Sequence, residues 1–126
     1  MRRNCLRAFL VGGTICSLGQ AFIEIYTALG LEKDAAGAAC SVTLIFIGAV
    51  LTGLGVYDKI AKFAGAGTLV PITGFSNSVV APALEFKTEG LVLGTAAKMF
   101  IISGPVIVFG TAASVVYGII LFLTGL

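Results

Sequence analysis

Histidine and tryptophan are absent from this chain of 126 residues, and charged side chains make up only 11% of it. Without histidine there is no Ser-His or Cys-His pair to activate a nucleophile, and no two carboxylates share a helix face within an apolar run. The chain is therefore read as a non-enzyme. Its three cysteines, Cys5, Cys16 and Cys40, show neither CxxC spacing nor another metal-site pattern, so neither a metal nor a cofactor is expected. Cys16 and Cys40 lie in apolar runs, where a thiol serves as a small packing group. The formal net charge of +2 includes no basic stripe beyond the N-terminus, which leaves nucleic-acid binding without an electrostatic footprint.

What the chain has instead is apolar length. Hydrophobic residues reach 58% and the mean hydropathy is +1.08, outside the balance of a soluble domain. At roughly 20 residues per span, the composition predicts an all-α, polytopic membrane helical bundle with three or four membrane-embedded segments. Residues 1–126 read as a single integral membrane domain. Arg2, Arg3 and Arg7 precede the first apolar run, Ala8 to about Leu29, and by the positive-inside rule they hold the N-terminus in the cytoplasm. That run is longer than a signal-peptide core and ends at no small-x-small site, so it is expected to stay as the first span.

Gly30 reads as a left-handed C-cap with Leu31 folding back, and Asp34 as the cap of the next helix, Ala35 to Val56. Tyr57 suits the membrane interface, and Asp58, Lys59 and Lys62 return the chain to the cytoplasmic side.

The stretch from Phe63 to Ser78 is uncharged and apolar, yet it carries Gly65, Gly67, Gly74 and Pro71 together with Thr68, Thr73, Ser76, Asn77 and Ser78. Non-helical chain at membrane depth survives only where protein or a water-filled cavity satisfies its backbone, and such interruptions mark solute sites. This third segment is predicted to be broken or re-entrant, with Ser76-Asn77-Ser78 capping a half-helix that starts near Val79 and Pro82 arguing against one uninterrupted helix. If it dips and returns, the chain has three spans and the C-terminus outside; if it crosses, it has four and both ends inside.

From Leu91 to Leu126 the run is too long for one upright span. It divides at Lys98 into an interfacial piece and a spanning helix, Met99 to Leu123, kinked at Pro105. Gly110, Ser114 and Gly118 form one small face of that helix, suited to packing.

Gly12, Cys16, Gln20 and Glu24 recur at four-residue spacing on one face of the first span, a face expected to point inward. An ionisable group within a span is a functional-site candidate; the other reading is that Glu24 sits near enough to the boundary to reach water. The candidate solute path is thus Gln20, Glu24, Gly65, Gly67, Thr68, Pro71, Thr73, Gly74, Ser76 and Asn77.

The same residues carry a family resemblance. Ala8-Phe9-Leu10-Val11-Gly12-Gly13, Leu51-Thr52-Gly53-Leu54-Gly55-Val56-Tyr57-Asp58, Phe63-Ala64-Gly65-Ala66-Gly67, Val70-Pro71-Ile72-Thr73-Gly74-Phe75-Ser76-Asn77 and Glu89-Gly90-Leu91-Val92-Leu93-Gly94 resemble the stage V sporulation protein AC family, with the AE type more distant. The resemblance implies a subunit of the spore inner-membrane complex that moves dipicolinic acid, with calcium, into the developing spore and releases it at germination. It also implies mechanosensitive channel behaviour, AD-type and AE-type subunits as partners, and an oligomeric assembly. Two functions fit the hydropathy: a channel or transporter subunit for a small dicarboxylate, and a structural membrane anchor beside a pore formed by another subunit.

Overall fold

The computed structural model describes residues 2–69 and 71–125; Val70, inside the expected broken segment, lies outside them. Regular structure among the described residues is entirely helical: α1 (Arg2–Ala28), α2 (Lys33–Gly53), α3 (Tyr57–Ala64), α4 (Pro71–Glu85) and α5 (Phe100–Thr124). Shorter turns connect them, 3₁₀ at Gly65–Leu69 and Lys87–Glu89 and π-wound at Leu91–Ala96. Among the described residues, three stretches are long and apolar enough to cross a membrane: Arg3–Ala28, Lys33–Gly53 and Leu91–Thr124. The chain forms two compact units, Met1–Ala81 and Pro82–Leu126, divided within α4.

In the first unit α1 and α2 pack where side chains are small. Ala36 and Cys40 are buried on α2, and the Cys40 thiol donates to the Gly19 carbonyl at 3.2 Å. Gly19 lies under Leu44, 3.5 Å from where a Cβ would stand. The Thr43 hydroxyl gives its single hydrogen to the Ala39 carbonyl, so Tyr26 must be the donor in the 2.6 Å contact between Tyr26 Oη and Thr43 Oγ1.

Both helices end as their glycines require. Gly30, at φ +94°, donates to the Thr27 carbonyl while Leu31 donates to Tyr26, and Gly55, at φ +66°, repeats the pattern with Thr52 and Val56 with Leu51. These are paired Schellman closures, which satisfy carbonyls that the helix leaves free. The start of α2 departs from expectation: its N-cap is Glu32 without a side-chain cap bond, and Asp34 lies in the first turn, where its charge suits the helix dipole.

Tyr57 is also placed differently, buried at the start of α3 with its hydroxyl donating to the Thr68 carbonyl at 3.0 Å. An eight-residue helix with Tyr57 and Ala64 inward and Asp58, Lys59 and Lys62 exposed leaves its charged face open and puts the Tyr57 ring in the core. The Arg7 guanidinium lies 4.8 Å over the Phe63 ring and ties the start of α1 to the end of α3.

Residues 71–78 are helical, against the expectation of open backbone. Proline is favoured at the first helical position because its fixed φ fits and its missing N–H is not needed there, so Pro71 starts α4 and Ser76-Asn77-Ser78 fall inside it. Pro82 is accommodated within the same helix. At 15 residues and 1.5 Å per residue, α4 extends about 22 Å, short of the roughly 30 Å hydrocarbon core. The interruption of the third segment is the positive-φ Gly65 and the 3₁₀ turn that follows it.

In the second unit, Gly90 at φ +101° turns the chain, and the Thr95 amide reaches back to the Gly90 carbonyl at 3.0 Å. Gly94 is buried against the Phe86 carbonyl, a spot where a Cβ has no room. Lys98, expected to reach toward headgroups, has its ammonium 4.6 Å over the Phe86 ring. The helix α5 continues through Pro105, and Ser103 is buried with its hydroxyl donating to the Met99 carbonyl at 2.9 Å.

Candidate functional site

Two polar groups of the central segment, Ser76 and Asn77, are paired with α2, while the Thr68 and Ser78 hydroxyls donate to carbonyls three residues back in their own segment. Ser76 is buried and donates to the Ile45 carbonyl at 2.8 Å, a bond to a backbone group of the neighbouring helix. Thr52 Oγ1 donates to the Gly48 carbonyl at 2.8 Å and lies 2.9 Å from Asn77 Oδ1. A hydroxyl has one hydrogen, so turning the Asn77 amide by half a turn puts its NH₂ toward Thr52 and pairs both groups. Gly48 lets α4 come this close: a Cβ there would stand 3.2 Å from Ser76 Cβ and 3.4 Å from the Thr73 carbonyl.

The glycines of the segment are packing positions. A Cβ on Gly67 would press on the Ala8 backbone, 2.8 Å from its Cα, and one on Gly74 would stand 2.8 Å from the Thr68 carbonyl. Of the sequence-derived set, Gly67, Thr68, Thr73 and Ser76 are buried, Gly74 and Asn77 are half-buried, and Gly65 is exposed at the corner. Pro71 contributes the start of α4.

Thr73 differs from its neighbours. It is 94% buried by a relative exposure of 6%, and its hydroxyl has no hydrogen-bond partner. It lines a cavity of about 430 Å³ bounded by Ile15 and Phe22 of α1, Leu44 and Leu51 of α2, Tyr57 and Thr68. Leu18 and Thr14, both exposed, also line this cavity. The volume lies in the range of about 300–1,000 Å³ typical of small-molecule sites, and the lining is apolar apart from a few hydroxyls. Neither the cavity nor the unpaired Thr73 hydroxyl was legible in the sequence, because both depend on how α4 lies against α1 and α2.

Gln20 and Glu24 are not brought to this set. Both are exposed, and Gln20 Nε2 donates to Glu24 Oε1 at 2.8 Å along the helix. The inward stripe of α1 is Val11, Ile15, Gly19, Phe22 and Tyr26, on the opposite side from Cys16, Gln20 and Glu24. The expectation of an inward face is therefore corrected: small Gly19, not Gln20, fits the close contact with α2.

A second pocket, of about 330 Å³, opens at the start of α1 between Asn4, Arg7, Lys62 and Phe63. Among the described residues there is no group of histidine, cysteine or carboxylate side chains arranged to hold a metal ion.

Residues 4–120 match the model of a family described as SpoVAC/SpoVAEB sporulation membrane protein. The chain is 52% identical over 120 residues to the stage V sporulation protein AC of Bacillus subtilis (strain 168), a match covering 94% of this chain and 80% of that protein. No solved structure matches the chain.

Proposed function

We propose that this chain, which belongs to the SpoVAC/SpoVAEB family of sporulation membrane proteins, is a channel or transporter subunit for dipicolinic acid with calcium. In this reading it acts in the spore inner membrane, with its N-terminus cytoplasmic and AD-type and AE-type subunits beside it. The observation that carries the reading is Thr73, whose buried hydroxyl has no hydrogen-bond partner, in the lining of a cavity of about 430 Å³ beside α1 and α2. A buried hydroxyl without a partner costs about 1–3 kcal/mol, and a solute or water that accepts or donates there recovers it. Thr68, Ser76 and Asn77 supply further polar groups around α4, while Gly65, Gly67, Pro71 and Gly74 shape the turn that brings Thr73 to the cavity. Gln20 and Glu24, on the other side of α1, belong to the boundary with a neighbouring chain.

A second reading has a specific observation in its favour. Ser76, Tyr57 and the Thr52–Asn77 pair satisfy one another or nearby backbone within the chain, as a membrane anchor beside another subunit's pore requires. Flux separates the two. Liposomes holding the purified chain alone and loaded with calcium dipicolinate should release it faster than protein-free liposomes, and Thr73→Val should slow the release. Release no faster than from empty liposomes, by a chain that still inserts, makes the anchor the better reading.

A further inference from the structure

The pocket at the start of α1 brings together cations from two elements. Arg7 of α1 and Lys62 of α3 both line its volume of about 330 Å³, with the Asn4 amide beside them. Among the described residues no carboxylate lines it; Asp58, the acidic residue of α3, stands one turn before Lys62 and outside the lining. Both cations are exposed, and the Arg7 guanidinium lies 4.8 Å over the Phe63 ring. That contact holds the cation in place without neutralising it, and a guanidinium keeps N–H donors for a phosphate. Much of the remaining lining is short and apolar, Ala8 and Ala64 among it. Neither the solute cavity nor the packing of the helices makes use of this positive charge above an apolar wall.

We propose that this pocket binds the headgroup of an anionic phospholipid. Arg7 and Lys62 pair with its phosphate, Asn4 hydrogen-bonds the headgroup, and Phe63 and the alanines lie against its glycerol and first methylenes. Depth is the first argument. The stretch Arg3–Ala28 is long and apolar enough to cross a membrane, and its apolar run begins at Ala8, so Arg7 falls in the layer where headgroup phosphates are concentrated. Basic pockets beside spanning helices are suited to anionic headgroups for this reason. Charge is the second. A zwitterionic headgroup brings an ammonium, which would meet Arg7 and Lys62 and find no carboxylate in the lining, whereas an anionic headgroup without an ammonium meets only opposite charge. The apolar wall is the third, because an ester carrying acyl chains gains from covering it and inorganic phosphate does not. The inference goes beyond the transport reading, needs no solute and holds in whichever leaflet Arg7 lies.

Cys5 lines the same pocket and is exposed, so its reactivity reports occupancy. The full-length chain carrying Cys16→Ser and Cys40→Ser is placed in phosphatidylcholine vesicles with or without phosphatidylglycerol, and labelling by N-ethylmaleimide is timed. Phosphatidylglycerol should slow the labelling of Cys5. Leu6→Cys, with Cys5→Ser added, moves the thiol one residue along to an exposed position outside the lining, and its rate should change much less. Arg7→Gln and Lys62→Gln should each raise the phosphatidylglycerol content needed for half protection of Cys5 by a factor of about five, the effect of one basic residue at a membrane surface. Arg7→Lys, which keeps the charge, should retain most of the protection. So should Lys59→Gln, which removes a charge from the same helix as Lys62 but outside the pocket. Phosphatidylethanolamine in place of phosphatidylglycerol should not protect, nor should inorganic phosphate added to phosphatidylcholine vesicles. No slowing at Cys5, equal slowing at Leu6→Cys, equal loss with Lys59→Gln or protection by phosphatidylethanolamine would overturn the site. Protection by inorganic phosphate alone would assign the pocket to a free anion and overturn the lipid.

Discussion

Gly67 rests directly on the backbone of Ala8, so closely that a Cβ at position 67 would stand 2.8 Å from the Ala8 Cα. The obstructing atoms are main chain and cannot rotate aside. This contact seats the 3₁₀ turn of Gly65–Leu69 on the first helix and fixes where α4 begins. Gly67→Val should therefore destabilise the folded chain by at least about 1–3 kcal/mol, the usual cost of overpacking. Thermal unfolding in mild detergent measures it, and a midpoint equal to that of the parent chain would show that the turn is free to move.

The Thr52–Asn77 pair joins α2 to α4. Asn77→Ala and Thr52→Val should each destabilise, and the double variant should lose less than their sum. The coupling energy expected for such a bond in a membrane is about 0.6 kcal/mol, with an upper value near 1.7. A double-mutant cycle by reversible unfolding gives it directly, and strict additivity would mean that the two side chains do not interact.

Thr73→Val removes a buried hydroxyl that has no partner in the fold while keeping the shape of the side chain. Its stability should be unchanged or up to about 1 kcal/mol higher. Flux of calcium dipicolinate should fall all the same. Stability and transport moving in opposite directions is the signature of a polar group retained for function, and a variant that transports like the parent assigns the hydroxyl no such role.

A cysteine placed before Arg7, with Cys5, Cys16 and Cys40 replaced, should resist an impermeant thiol reagent added from outside intact cells. Arg3 and Arg7 at this end and Lys59 and Lys62 on α3 point to the same side. Ready labelling from outside would invert the whole topology.

The first helix end was legible in the sequence because glycine does there what few residues can: Gly30 takes positive φ and closes the helix as its position suggests, whereas the second helix, expected to run to Val56, ends at Gly53 and closes on the positive-φ Gly55. The three long apolar stretches were legible from composition. Where reading failed, a local rule competed with packing. The Ser76-Asn77-Ser78 cluster looks like a cap, but Pro71 five residues earlier already provides a favourable start; the Ser76 hydroxyl and the Asn77 amide instead bond to α2, and the Ser78 hydroxyl donates to the Phe75 carbonyl within α4. Tyr57 has the composition of an interfacial residue, yet the Thr68 carbonyl draws its hydroxyl inward. The spacing of Cys16, Gln20 and Glu24 correctly shows one face; which way it turns depends on Gly19, the residue small enough for Cys40 and Leu44 to lie against.

The short α4 touches α2 through Gly48, Thr52 and the Ile45 carbonyl, all in the C-terminal half of that helix, where α3 and the 3₁₀ turn also gather. Within the first unit α4 is thus held to one half of α2, by the Ser76 bond to a backbone carbonyl, by the Thr52–Asn77 pair and by the room that Gly48 leaves, so a change at Gly48 or Thr52 bears on the placement of α4 as much as on α2 itself.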